Sequence, residues 1–367
     1  MNIIRNWFER NFSDPQVVLL AVLLIGGFAA IALIGRMLAP AIAAVVIAYL
    51  LDSPVELLRR IGLPKLTSVV IVFLGFIGVA LFALLTILPL VTAQLAQLVA
   101  SLPSMMGRTQ EALLALPGRY PALIDEDQVL DIMANLRSEL LVAGQYVLQF
   151  SLDNVTNLVT IVVYAILVPL MVFFFLKDKR KILDWVGGFL PRERQLVETV
   201  WHEVDHKTGH YVRGKAYEII IVGTVTWATF TLLGVQFAIL LAVMTGLSVL
   251  IPYVGAALIA FPVAFVAFFQ WGINAEFAMV VVAYAVIQAL DGNLLAPLLF
   301  SEVVKLHPNA IIIAILVFGG LWGIWGLFFA IPLATLAQAV INAWPTRGEP
   351  PAVEHQPPGA PEQDAAE

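Results

Sequence analysis

Residues 219–275 read IIIVGTVTWATFTLLGVQFAILLAVMTGLSVLIPYVGAALIAFPVAFVAFFQWGINA, 57 positions without one Asp, Glu, Lys or Arg. A helix needs about 20 apolar residues to cross a hydrocarbon layer about 30 Å thick. This run is too long for two plain spans. It is punctuated at Gly234, at Ile251-Pro252-Tyr253-Val254-Gly255 and at Pro262. The spacing predicts a full span near 216–234 followed by a hairpin near 235–270 with a break at its middle.

Outward from this stretch the pattern repeats. A further span is expected near 276–297, and a second apolar hairpin near 309–344 with Gly319, Gly320, Gly323, Gly326 and Pro332 inside it. On the N-terminal side, Gln16–Gly35 gives one uncharged run. Arg36 ends it, and Met37–Leu51 makes a second run, with Pro40 fitting a first-turn proline after a tight turn. Val69–Val91 and Val155–Leu176 supply the third and fourth spans. Arg5, Glu9, Arg10 and Asp14 stand before an apolar run too long for a signal h-region, so the first span is expected to stay in the protein.

The whole chain agrees with this reading. Of 367 residues, 60% are apolar and 13% charged, with mean hydropathy +0.92; a soluble domain carries about 25% charged residues. The predicted fold is all-α: a polytopic membrane protein of about eight transmembrane or re-entrant helices. Its parts are membrane helices 1–3 (1–91), an extracytoplasmic amphipathic segment (92–154), membrane helix 4 (155–176), a cytoplasmic amphipathic segment (177–215), a core with two hairpins (216–344) and a disordered tail (345–367). Within 92–154, helices are expected to break around Pro103, Pro117 and Pro121.

Basic residues orient the spans. Arg59, Arg60 and Lys65 fall in 52–66, and 177–215 carries nine Lys or Arg, whereas 92–154 has three Arg against seven acids. Placing the first two segments in the cytoplasm puts 92–154 outside and both termini inside. From 216 onward the order is span, broken hairpin, span, broken hairpin, and the two hairpins enter from opposite sides. That is an inverted repeat in outline, the arrangement that lets transporters build a polar site at the midplane from interrupted helices. The competing reading is that Pro and Gly merely allow close packing in membrane helices.

Several motifs resemble those of the autoinducer-2 exporter (AI-2E) family of PerM-like permeases. They are Ile251-Pro252-Tyr253-Val254-Gly255; Asp291-Gly292-Asn293 with Pro297 and Leu306-His307-Pro308; Gly319-Gly320-Leu321-Trp322-Gly323 with Gly326 and Ile331-Pro332; and Tyr211-Val212-Arg213-Gly214-Lys215. The resemblance covers nearly the whole chain and is specific in its C-terminal half. It implies a bacterial inner-membrane transporter with cytoplasmic termini, a homo-oligomer with a pentamer favoured, and export of autoinducer-2 or exchange of sodium or lithium for protons. Asp291 stands where the family's acidic motif is expected to hold Glu.

An intramembrane carboxylate is costly and marks a functional candidate. Asp291, one turn after Gln288 and two residues before Asn293, could bind a cation, carry a proton or accept hydrogen bonds from a polyol, or it could only cap a broken helix. The expected solute path comprises Asp291, Asn293, Gln288, Pro252, Tyr253, Gly255, Gly319 and Gly323. Glu302, Lys305 and His307 read as a solvated loop. Glu218 can snorkel or pair with Lys215, and Gln236 and Gln270 flank the first hairpin.

Other chemistry finds little support. Gly209 to Lys215 matches G-x-x-x-x-G-K, but Ala216 replaces the magnesium-binding Ser or Thr and the stretch precedes a span. His202, His206 and His210 recur every four residues without a further ligand. There is no cysteine, no nucleophile triad and no basic patch with interleaved aromatics, so no cofactor, metal, nucleic acid or catalytic step is expected. The partners are lipid and a small polar solute or cation. Besides the exporter, two readings remain: a sodium (or lithium)/proton antiporter of the same fold, and a non-transporting membrane scaffold.

Overall fold

The computed structural model describes residues 15–114, 138, 158–191, 194–252, 254–300 and 307–343, and these are helical with short connections. The tail after 343 and most of 115–157 lie outside them, as do Tyr253, Glu302 and Lys305, and so do the breaks expected at Pro117 and Pro121.

The first helix, α1 (Pro15–Arg60), corrects the expected turn after Arg36: helical hydrogen bonding runs through it for 46 residues. It is nevertheless bent. Gln16 Oε1 accepts from the Leu196 backbone amide at 3.0 Å, and Tyr49 donates its hydroxyl proton to Asp205. In a straight helix Gln16 and Tyr49 would be about 50 Å apart, whereas Leu196 and Asp205 are only about 14 Å apart along theirs. α1 therefore doubles back between them. Pro40, which removes a backbone donor, lies in that interval. The two apolar runs do turn, by bending rather than through a loop.

α2 (Lys65–Phe82) passes through a π-helical turn (Ala83–Ile87) into α3 (Leu88–Leu114). α3 continues through Pro103, against the break expected there, and its inner face brings Leu98 onto the core. α4 (Leu158–Gly187) extends past the predicted span end at 176, with Asp178 out of helical geometry (φ −110°, ψ 18°). α5 (Gln195–Leu232) then joins the predicted amphipathic segment and the predicted span into one 38-residue helix.

The C-terminal core follows the expected division closely. α6 (Ala238–Ser248) and α7 (Val254–Trp271) form the first hairpin, separated where the sequence reads Val249 to Tyr253. α8 (Ala275–Leu290) opens on Asn274, whose side chain accepts from the Phe277 amide, and passes through a second π-helical turn (Asp291–Leu295) into α9 (Ala296–Phe300). α10 (Pro308–Trp322) and α11 (Ile324–Ala343) meet at Gly323, whose φ of +60° reverses the chain.

Five helical stretches among the described residues are long and apolar enough to cross a membrane: Met37–Arg60, Lys65–Leu102, Val254–Trp271, Ala275–Phe300 and Trp325–Ala343. Ala238–Ser248 is a shorter apolar helix, and Pro15–Ile31 and Asn309–Trp322 are apolar stretches of α1 and α10. Large apolar side chains such as Leu85, Ile220, Phe261 and Leu316 point outward, as a lipid-facing surface requires.

The basic loops gather at one end. Lys179 pairs with Asp52 at 3.2 Å, Lys65 Nζ donates to the Lys177 carbonyl at 2.8 Å, and Arg194 pairs with Glu198 at 2.8 Å. This end also holds the start of α1, where Leu20 packs in one cluster with Val200 and Ala339.

Candidate functional site

Two charged side chains sit one turn apart on the inner face of α5. The Lys215 ammonium lies 2.7 Å from Glu218 Oε2, and both side chains are more than nine-tenths buried. The contact is an ion pair rather than a well-aligned hydrogen bond, because Glu218 Oε2 has no hydrogen-bond partner. Lys215 instead donates to the Val249 carbonyl at 2.7 Å, at the break of the first hairpin. Its ammonium also lies 5.1 Å from the centroid of the Phe300 ring, in cation–π range. Gly214 makes room for that ring, since a Cβ there would meet Phe300 at 2.5 Å.

Asp291 faces this pair from the π-helical turn after α8, close enough for its carboxyl to interact with both Glu218 and Lys215. Its Oδ1 is buried without a hydrogen-bond partner, and so is Nε2 of Gln288 one turn earlier. A π-helical turn widens the helix by one residue per turn and leaves backbone groups displaced, which is why such turns recur at functional sites. Tyr284 Oη donates to the Ala256 carbonyl at 2.6 Å and holds the start of α7 to α8.

These groups open on a cavity of about 630 Å³. α5 contributes Lys215 and Glu218; the break of the first hairpin contributes Val249, Ile251 and Pro252; the α8–α9 segment contributes Gln288, Asp291, Pro297 and Phe300; Ile311 and Ile331 close it from the second hairpin. The charge is held by three side chains against an otherwise largely apolar wall, the composition of a site for a small solute.

Of the residues expected in a solute path, Asp291, Gln288 and Pro252 meet at this cavity. Tyr253 lies outside the described residues. Asn293 turns away, donating from Nδ2 to the Ala289 carbonyl at 2.8 Å on an exposed face. Gly255 supports the break: a Cβ there would sit 1.8 Å from the Ser248 carbonyl oxygen. Gly319 packs under Leu327, where a Cβ would come within 2.6 Å, and Gly323 is the turn itself, so neither lines the cavity. Lys215 and Phe300 line the cavity without belonging to the expected path, and Glu218 lines it beyond its expected pairing with Lys215. Glu218 was detectable as an acid one turn inside an apolar run; nothing in the local pattern singles out Phe300.

The remaining candidates have structural roles. Gln270 accepts from the Gln236 amide and donates to the Gly234 carbonyl, both at 2.7 Å, and so ties the α5–α6 turn. Gly209 to Lys215 runs inside α5, so its amides are spent on helical bonds and form no phosphate loop. The His206 and His210 rings lie 4.5 Å apart, and the described residues contain no group of three or more metal-ligating side chains.

A helical membrane bundle with a charged cavity among interrupted helices is the build of a transport protein. The comparisons agree. The model of the AI-2E family transporters matches residues 18–346. The chain is 46% identical over 346 residues to the "Putative permease PerM" of Escherichia coli K12, covering 94% of this chain and 98% of that one. It is 29% identical over 299 residues to the "Putative transport protein YueF" of Bacillus subtilis, covering 80% of each. The protein belongs to the AI-2E family of transporters.

Proposed function

We propose that this chain is a secondary transporter of the bacterial inner membrane that exports a small polar solute, autoinducer-2 being the first substrate to test, through the cavity at Asp291. The observation that carries the reading is the Asp291 carboxylate oxygen, buried and unpartnered beside the Lys215–Glu218 pair in a cavity walled by both broken hairpins. A carboxylate left in that state is expensive unless a solute or proton completes it. In this reading eight segments enter the membrane, the two hairpins form an inverted repeat, both termini face the cytoplasm and the protomers assemble as a homo-oligomer, a pentamer being favoured.

The deciding experiment is uptake of solute into proteoliposomes against a pH gradient. Asp291→Asn keeps the shape of the side chain and removes its charge, so pH-dependent flux is lost while the protein still reconstitutes. Unchanged pH dependence would remove Asp291 from the mechanism. Two carboxylates facing one lysine also favour a second reading, a sodium/proton antiporter: proton flux on adding sodium, with no autoinducer-2 flux, would decide for it.

A further inference from the structure

We propose that Lys215 determines which ion the site exchanges: its tethered ammonium fills the position an alkali cation would need, so the Glu218–Asp291 pair takes up and releases protons and excludes sodium. The proposal rests on the cavity being the transport site and names the coupling ion of that site.

The argument begins with the oxygens. A hard cation is held by several oxygen ligands at once. The cavity offers the carboxylates of Glu218 and Asp291 and the carbonyl of Val249, which α6 leaves free at its C-terminal end. Lys215 already contacts two of these three, Glu218 and the Val249 carbonyl, each at 2.7 Å. A metal ion entering beside it would meet a second positive charge and one remaining oxygen group. A proton has no such requirement. Bound to either carboxyl, it leaves the other to pair with Lys215 and brings the three groups from a net charge of −1 to zero.

No other charge on the described residues around the cavity alters this count. α5 adds only the Tyr211 hydroxyl, which donates to the Phe328 carbonyl, and α8 only the Tyr284 hydroxyl, committed to Ala256. α6, α7, α10 and α11 carry no Asp, Glu, Lys or Arg, and His307 at the start of α10 is exposed. The ammonium is also fixed from behind by the Phe300 ring, so its place in the cavity is built rather than incidental.

The test is equilibrium binding of radiolabelled sodium to the purified full-length protein, with choline balancing ionic strength. The wild type and Lys215→Arg are expected to show no saturable sodium binding. Lys215→Met is expected to gain it, with a matching sodium-dependent rise in Tm, and Lys215→Met combined with Glu218→Gln to lose it again. Saturable binding by the wild type that disappears in Glu218→Gln overturns the proposal, as does a folded Lys215→Met protein that binds none. If Lys215→Met does not fold, the wild-type and Lys215→Arg arms still decide, since sodium binding by either is fatal and its absence from both upholds the exclusion. The assay needs no flux, so it separates from the transport reading. Unchanged transport in Asp291→Asn sinks that reading and leaves only the exclusion of sodium standing, whereas failed sodium capture in Lys215→Met sinks this one alone.

Discussion

Gly255 lies against Ser248 so closely that a Cβ on Gly255 would sit 1.8 Å from the Ser248 carbonyl oxygen, and the second hairpin repeats the contact between Gly326 and the Phe318 carbonyl at the same 1.8 Å. Both obstacles are backbone, which cannot rotate away as a side chain can. Each broken hairpin is thus closed at its reversal by a glycine pressed onto the preceding helix. Gly255→Ala and Gly326→Ala are each expected to destabilise by at least about 3 kcal/mol, the upper end of overpacking costs. Gly75→Ala, with nothing within 4 Å of the added methyl, is the tolerated control. Thermal unfolding in detergent checks all three, and wild-type Tm in Gly255→Ala would refute the close contact.

The buried ion pair gives a second expectation. Removing one partner of such a pair costs about 3–5 kcal/mol because the other charge is left unpaired, whereas neutralising both costs far less. Lys215→Met alone should therefore lower stability more than Lys215→Met with Glu218→Gln, although the double variant changes more atoms. A double-mutant cycle on Tm measures the difference. Additive effects would mean that the pair seen at 2.7 Å is not held in the folded protein.

Gln270 separates scaffold from path. Its two 2.7 Å bonds, to the Gln236 amide and the Gly234 carbonyl, hold the turn where Gly234 and Phe237 both take positive φ. Gln270→Ala should cost about 1–2 kcal/mol for the two exposed bonds and leave solute selectivity unchanged. A changed substrate profile in flux assays would place Gln270 in the solute path after all.

The natural absence of cysteine makes topology directly measurable. Leu63→Cys, between α1 and α2 at the basic end, should react with an impermeant maleimide only from the cytoplasmic face. Asn274→Cys, between α7 and α8, should react only from the opposite face. Labelling of both from one side would undo the inverted arrangement of the hairpins.

The sequence made the membrane segments of the C-terminal half legible because charge is simply missing there: the helices end at Leu232, Trp271 and Ala343, close to the expected 234, 270 and 344. The cavity was half legible. Asp291 and Gln288 announce themselves as polar groups in an apolar run, but Lys215 and Glu218 stand at the edge of one, where burial and snorkelling are indistinguishable without the packing of Phe300 and Val249 over them. Gly319 and Gly323 mislead for the complementary reason. A glycine that admits a neighbour and one that lines a path look the same until the neighbour, Leu327, is seen. The doubling back of α1 was expected, its mode was not, since a proline such as Pro40 reads equally as the start of a new helix or a bend in an old one.

The π-helical turn at Asp291–Leu295 has one more consequence. Such a turn takes one residue more than ordinary α-winding for the same rotation, so if these same residues were wound as plain α-helix, all that follows would be rotated by about 100°. Phe300 would swing off the Lys215 ammonium and Pro297 out of the cavity wall, though no side chain in contact with either had been altered. In this stretch the wide winding of the backbone is as much a part of the site as the identity of its side chains.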